Sequence, residues 1–173
     1  MNMNRRTLLA SAAAAVAARP FISLTQSGVT SGGIGLTLAD VQSIYEELPP
    51  GQSFRNFAEP QTGTTLYIDF GDTDLAQSIW VSGDLDEAAA TDLITWLCPD
   101  DATLEHTFDL LSSAGSIAFR ETLVLESPFL AGFDPERSRI LVTYVVEPAV
   151  GGTSGVVKEL TLSVEQALTS GRG

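Results

Sequence analysis

Soft metal ligands are almost missing from this 173-residue chain: it holds one cysteine (Cys98), one histidine (His106) and two methionines, Met1 and Met3. Haem, iron–sulfur, copper and zinc centres usually take at least two ligands from these residue types, so no cofactor is expected. A lone cysteine also rules out an internal disulfide, and stability must come from packing. Lysine occurs once, at Lys158, and nine basic residues stand against 22 acidic ones for a formal charge of −13. Such a surface repels nucleic acid and anionic lipid and suits a basic partner, a cationic ligand or calcium. Long apolar runs are lacking too. Residues 8–18 form the longest one near the N-terminus, well short of the ~20 residues that a spanning helix requires.

What the chain does have begins at its N-terminus. Asn4-Arg5-Arg6-Thr7-Leu8-Leu9 leads into an alanine-rich run, and small residues recur at Ala15-Val16-Ala17 and Val16-Ala17-Ala18. A basic start, a short apolar run and an Ala-x-Ala site are the parts of an export signal, whereas a cytosolic amphipathic helix would need a polar face that residues 12–18 do not have. The segment resembles twin-arginine signal peptides through Arg5 and Arg6, with Leu8 in the place of the usual phenylalanine. The paired arginines equally fit the basic start of a general secretory signal, so the route stays open. Either route implies cleavage after Ala17 or Ala18 and a periplasmic or secreted product with no stable membrane anchor. Cleavage would remove Arg5 and Arg6 and no acid, taking the charge from −13 to −15. Twin-arginine carriers often load a cofactor before export; with so few ligands, fast folding is the expectation here.

The expected organisation is a signal over 1–18, a flexible Gly/Ser-rich spacer over 19–35, one α+β domain over 36–168 and a disordered tail over 169–173. Thr37 and Asp40 make a capping pattern before apolar residues at helical spacing (Leu38, Val41, Ile44, Tyr45, Leu48), ended by Pro49-Pro50-Gly51. Alternation over 65–70 and 77–82 around a Gly/Asp turn predicts a hairpin. Asp84, followed by Asp86 and Glu87, is expected to cap a second helix carrying Leu85, Ala89, Leu93, Trp96 and Leu97, stopped at Cys98-Pro99. Residues 104–110 alternate as a strand with Leu104, His106 and Phe108 inward. Residues 116–125 fit a strand or a helix. Strands are expected over 139–147 and 156–165, the latter with Leu160, Leu162 and Val164 inward. The fold class is therefore α+β, an antiparallel sheet with two or three helices packed on it, in two related helix–hairpin halves.

Gly35-Leu36-Thr37-Leu38-Ala39-Asp40-Val41, a short helix and then a hairpin is similar, over residues 35–82, to two groups of exported bacterial domains. These are the outer-membrane assembly lipoproteins of the SmpA/OmlA group and the tandem β-lactamase-inhibitor-like fold. The first group carries a lipid-anchor cysteine and a Gly-x-Pro after the helix, where this chain has Leu48-Pro49-Pro50-Gly51 and no anchor. The resemblance implies the fold plan alone.

Candidates for chemistry are few. Cys98 and His106 have the residue types of a thiol nucleophile and its base, but a cysteine ending an apolar helix reads as a small hydrophobe. Gly151-Gly152-Thr153-Ser154-Gly155 does not centre its serine as a nucleophile elbow and is followed by a strand, not by a phosphate-binding helix. Asp69, Asp72, Asp74, Asp84, Asp86 and Glu87 supply calcium-type oxygens without the loop spacing, and fit solvated turns and a helix start. Tyr67 and Trp80 fall on the polar faces of neighbouring strands, where an exposed aromatic pair anchors a protein, peptide or glycan partner or simply packs across strands. An exported binding module follows as the leading expectation. The alternative is a small carboxylate-based hydrolase or isomerase in the concavity of the sheet.

Overall fold

The computed structural model describes residues 22–23, 28–49, 54–71, 73–111, 119–148 and 155–165. The signal segment with Arg5, Arg6, Ala17 and Ala18, the tail over 169–173 and Asp72 lie outside the described residues.

Helix α1 (Leu38–Ile44) starts where sequence places it. Thr37 Oγ1 accepts from the Asp40 amide and Asp40 Oδ2 accepts from the Thr37 amide, both at 3.2 Å, closing a capping box. It ends earlier than periodicity predicts. Tyr45 is extended, its phenol donating to the Gly32 carbonyl at 2.7 Å, and Glu46–Glu47 form strand β3 against β4 (Arg55–Glu59). A tertiary hydrogen bond and a strand partner outweigh one more helical turn. Strand β4 was not legible, because Phe57 is its one large apolar residue.

The expected hairpin is β5 (Thr64–Asp69) with β6 (Ser78–Ser82). Helix α2 (Glu87–Leu97) follows, but Asp86 is its cap, accepting from the Ala89 amide at 2.7 Å. The expected cap, Asp84, instead takes the Lys158 ammonium at 2.7 Å, and that hydrogen bond holds Lys158 above its usual range. Leu85–Asp86 are already engaged as strand β7 against β11 (Gly155–Glu165), which moves the helix start forward. The chain continues through β8 (Thr103–Leu111), β9 (Phe119–Glu126), the short helix α3 (Pro128–Phe133), a 3₁₀ turn over Pro135–Arg137 and β10 (Arg139–Pro148). The ambiguous 116–125 segment is strand from residue 119 onward.

Among the described residues these strands form one sheet in the order β3-β4-β5-β6-β11-β10-β9-β8, with β7 beside β11 and every pairing antiparallel. Helix α1 precedes the meander β3–β6 and helix α2 precedes the meander β8–β11. The two meanders join through their last strands, with Leu162 opposite Ile79 and Leu160 opposite Val81. On the inner face those residues, with Leu66, Ile68, Ile140 and Val142, enter one core cluster with Val41 of α1 and Leu93 and Leu97 of α2. No helix of the described residues is long and apolar enough to cross a membrane.

Two expectations are corrected. The expected spacer is part of the fold from residue 30 onward: β1 (Ile22–Ser23) pairs with β2 (Thr30–Ser31), and Ile34 and Leu36 are fully buried. The amides of Gly32 and Ile34 donate to the carbonyls of Trp96 and Leu97, both at 2.8 Å. The glycines here serve contact. A Cβ on Gly32 would sit 2.1 Å from Trp96 Cε2, so only glycine lets the chain lie on that ring.

The second correction is on β8. Its register shifts between Leu104 and His106, leaving Glu105 as a bulge residue. A bulge reverses the faces of all that follows, so Leu104 stays inward while His106 and Phe108 point outward. Phe108 is 54% exposed. The extra residue is anchored, since Glu105 receives Arg139 Nε and Nη2 at 3.1 Å each.

Helix α3 is held from outside its own sequence. Asp101 takes the Ser127 hydroxyl and the Phe129 amide, each at 2.7 Å, and Ser127 Oγ accepts from the Leu130 amide at 3.3 Å. Ser127 is fully buried. Ser127→Ala takes one of two donors from the Asp101 carboxylate and removes the cap, and an expected loss of ~2–3 kcal/mol follows from charged hydrogen-bond and capping magnitudes. A midpoint in urea within error of the parent would refute it.

Candidate functional site

The inner face of β8–β10 is not filled by the helices. Leu104, Thr107, Glu121, Leu123, Leu125 and Tyr144 form a floor, because the registers set Leu104 opposite Leu125, Thr107 opposite Leu123 and Glu121 opposite Tyr144. Above them the C-terminal end of α2 supplies Ile94, Thr95 and Trp96, and the following turn supplies Cys98, Pro99, Asp100 and Ala102. Thr30 and Ser31 close one side. The space between measures about 590 Å³, inside the roughly 300–1,000 Å³ range of small-molecule sites.

The cavity is mostly apolar, with a polar pair on its floor and another at its rim. Tyr144 Oη donates to Glu121 Oε2 at 2.5 Å, a cross-strand pair that fixes one carboxylate oxygen. Asp100, at the exposed rim, is committed to β2: it accepts from the Thr30 amide at 3.1 Å and the Thr30 hydroxyl at 2.8 Å. Among the described residues the lining contains no lysine, arginine or histidine. Trp96 Nε1 donates to Tyr45 Oη at 2.6 Å, fixing the indole that walls the cavity.

Cys98 and His106 are not brought together. Burial pushes the Cys98 thiol up to about 12, which keeps it protonated. The bulge carries His106 to the opposite face of the sheet, where it stands 3.6 Å from Glu105 Oε1 and near the Phe108 ring. The inward placement expected of His106 is thus overturned, and no thiolate–imidazole pair forms. Four of the acids of the first hairpin and second helix have separate tasks: Asp69 accepts from the Gly71 amide, Asp84 holds Lys158, Asp86 caps α2, and Glu87 accepts from the Gly155 amide at 2.9 Å, while Asp74 is exposed in the turn. No cluster of three metal-ligating side chains occurs among the described residues.

Tyr67 and Trp80 stand directly opposite on β5 and β6, on the outer face, with ring centroids 6.1 Å apart. Trp80 is 51% exposed. The registers extend this pair into one transverse row, Asn56–Tyr67–Trp80–Thr161–Thr143–Thr122–Phe108, with no charged member.

Sequence reasoning missed Glu121 and Tyr144. Their signal was phase: Glu121 shares the alternation of Leu123 and Leu125, and Tyr144 that of Ile140 and Val142. A carboxylate on the apolar phase of a strand marks a polar group inside. No family model, curated protein or solved structure matches the chain.

Proposed function

We propose that this chain is an exported binding protein whose ligand is a small molecule seated in the cavity between α2 and strands β8–β10. The carrying observation is a mostly apolar cleft between α2 and the sheet, lined by leucines and Trp96, with the Glu121 carboxylate oriented on its floor by Tyr144 and Asp100 held by Thr30 at its exposed rim. A concave, mostly apolar cleft of this volume with a few placed polar groups is the usual form of a small-molecule site. Export is supported by Arg5-Arg6 and the alanine-rich run to Ala18, and intact mass of extracytoplasmic protein tests it through a start at residue 18 or 19. The mirrored order of two helix-plus-meander halves supports reading them as related units.

Catalysis is the weaker reading. The cavity offers a carboxylate and a phenol, but its thiol is held protonated and it has no imidazole. Titration with the neutral dye N-phenyl-1-naphthylamine tests the binding reading. One saturable site is expected, abolished in Thr107→Trp, which places an indole over the floor. Absence of saturable binding, or an unchanged titration in a folded Thr107→Trp, sinks it.

A second reading is favoured by the outer row. Aromatic rings at Tyr67, Trp80 and Phe108 flank three threonines in a charge-free band on a chain of −13, which suits a neutral glycan better than a charged partner. Retardation in gels cast with neutral polysaccharide, relieved in Trp80→Ala, is the expected result. Equal mobility with and without polysaccharide overturns this reading.

A further inference from the structure

We infer that the cavity selects a cationic amphiphile, an amine whose ammonium group meets Glu121 while its apolar body lies against Leu123, Leu125, Ile94 and Trp96. The inference rests on the cavity being the binding site.

Three observations carry it independently of the acidic surface. First, of the two carboxylates in the lining, Asp100 spends both oxygens on Thr30, whereas Glu121 receives Tyr144 on Oε2. Around Glu121 the lining supplies threonine hydroxyls, the Trp96 indole and hydrocarbon. Second, among the described residues no cationic side chain lines the cavity; the Arg120 guanidinium contacts Glu159 on the outer face of the sheet. Third, the Tyr144 phenol donates to the Glu121 carboxylate and fixes its direction before a ligand arrives. An incoming ammonium completes a charge-assisted pair beside a mostly apolar lining, where such a pair gains more than on an open polar surface. A ligand carboxylate meets repulsion from Glu121 and Asp100 and finds no base. A neutral alcohol gains a hydrogen bond but no charge pairing. Long-range attraction acts in the same direction, because a chain of −13 concentrates cations near its surface.

The test is competition against bound N-phenyl-1-naphthylamine on the full-length chain at neutral pH, with octylammonium, octanol and octanoate as probes of equal length. The expected order is octylammonium tightest, octanol weaker by about tenfold, and octanoate without effect. In Glu121→Gln, which keeps an acceptor and the side-chain volume, octylammonium is expected to fall to the level of octanol while octanol changes by less than about twofold. Tyr144→Phe is expected to weaken octylammonium less than Glu121→Gln does, since it removes the orienting group and leaves the charge. If the dye binds and octanoate competes as well as octylammonium, or Glu121→Gln keeps the amine preference, the inference is overturned and the cavity reading stands. If the dye finds no saturable site, both fall.

Discussion

Trp96→Ala is expected to lower the unfolding free energy by about 3–5 kcal/mol, the range for removing a large aromatic side chain from a core. Trp96 is 3% exposed, and its indole meets Tyr45 at the end of α1 and lies against Gly32. Its Nε1 donates to Tyr45, Tyr45 donates to the Gly32 carbonyl, and the Gly32 amide returns to the Trp96 carbonyl at 2.8 Å. Alanine removes the ring and leaves the buried Tyr45 hydroxyl without that donor, so transfer, cavity and hydrogen-bond losses act together. Urea unfolding followed by circular dichroism measures the change. A loss under ~1 kcal/mol would show that the indole is not a keystone of the 30–36 segment.

The same geometry predicts a coupling. Gly32→Ala alone sets a methyl within 2.1 Å of Trp96 Cε2, and overpacking of this kind costs about 1–3 kcal/mol. In a Trp96→Ala background that clash is gone, so the second substitution should cost much less than it does alone. A double-mutant cycle reads the non-additivity directly. Additive losses would mean that the 30–36 segment and α2 do not meet through this ring.

Cys98 is expected to resist thiol reagents in the native state by at least a thousandfold. With its titration pushed by burial from 9.0 to about 12, the thiolate fraction at pH 8 falls by about three orders of magnitude, before steric exclusion is counted. Reaction with a disulfide reagent should therefore track unfolding. Prompt modification of folded protein would contradict the buried position. The alkaline consequence follows by linkage. The folded-state value lies above the unfolded one, so the contribution is complete below about pH 9 and is lost as pH rises from 9 towards 12. Its full size is on the order of 4 kcal/mol. Cys98→Ala should flatten this alkaline fall in stability, whereas an equally steep fall in the variant would assign it to other groups.

The difference between what sequence shows and what it hides is visible at particular residues. Thr37 and Asp40 specify the α1 cap because both partners lie within one turn, and the alternation of Leu160, Leu162 and Val164 specifies the inner face of β11 because period two is a local property. Tyr67 and Trp80 were placed together for the same reason, through a short connection that sets their register. Glu105 shows the limit. Its bulge is invisible to alternation, yet it sends His106 and Phe108 to the other face and dissolves the pairing of Cys98 with His106. The Gly/Ser stretch around residues 28–33 shows another. Composition reads it as spacer, while the close approach of Gly32 to Trp96 requires that same composition inside the core.

Sequence alone determined the acidic charge, the exclusion of an internal disulfide, the α+β class, the α1 cap and the inward phase of β11. Each depends on composition or on neighbours a few residues apart. Tertiary structure decided the joining of β6 to β11, the burial of residues 30–36, the capping of α3 by Asp101 and the meeting of Glu121 with Tyr144 in an open cavity. Those features depend on register between segments distant in sequence, and on volume left where helices stop short of a sheet. Neither quantity is written in any local window of the chain.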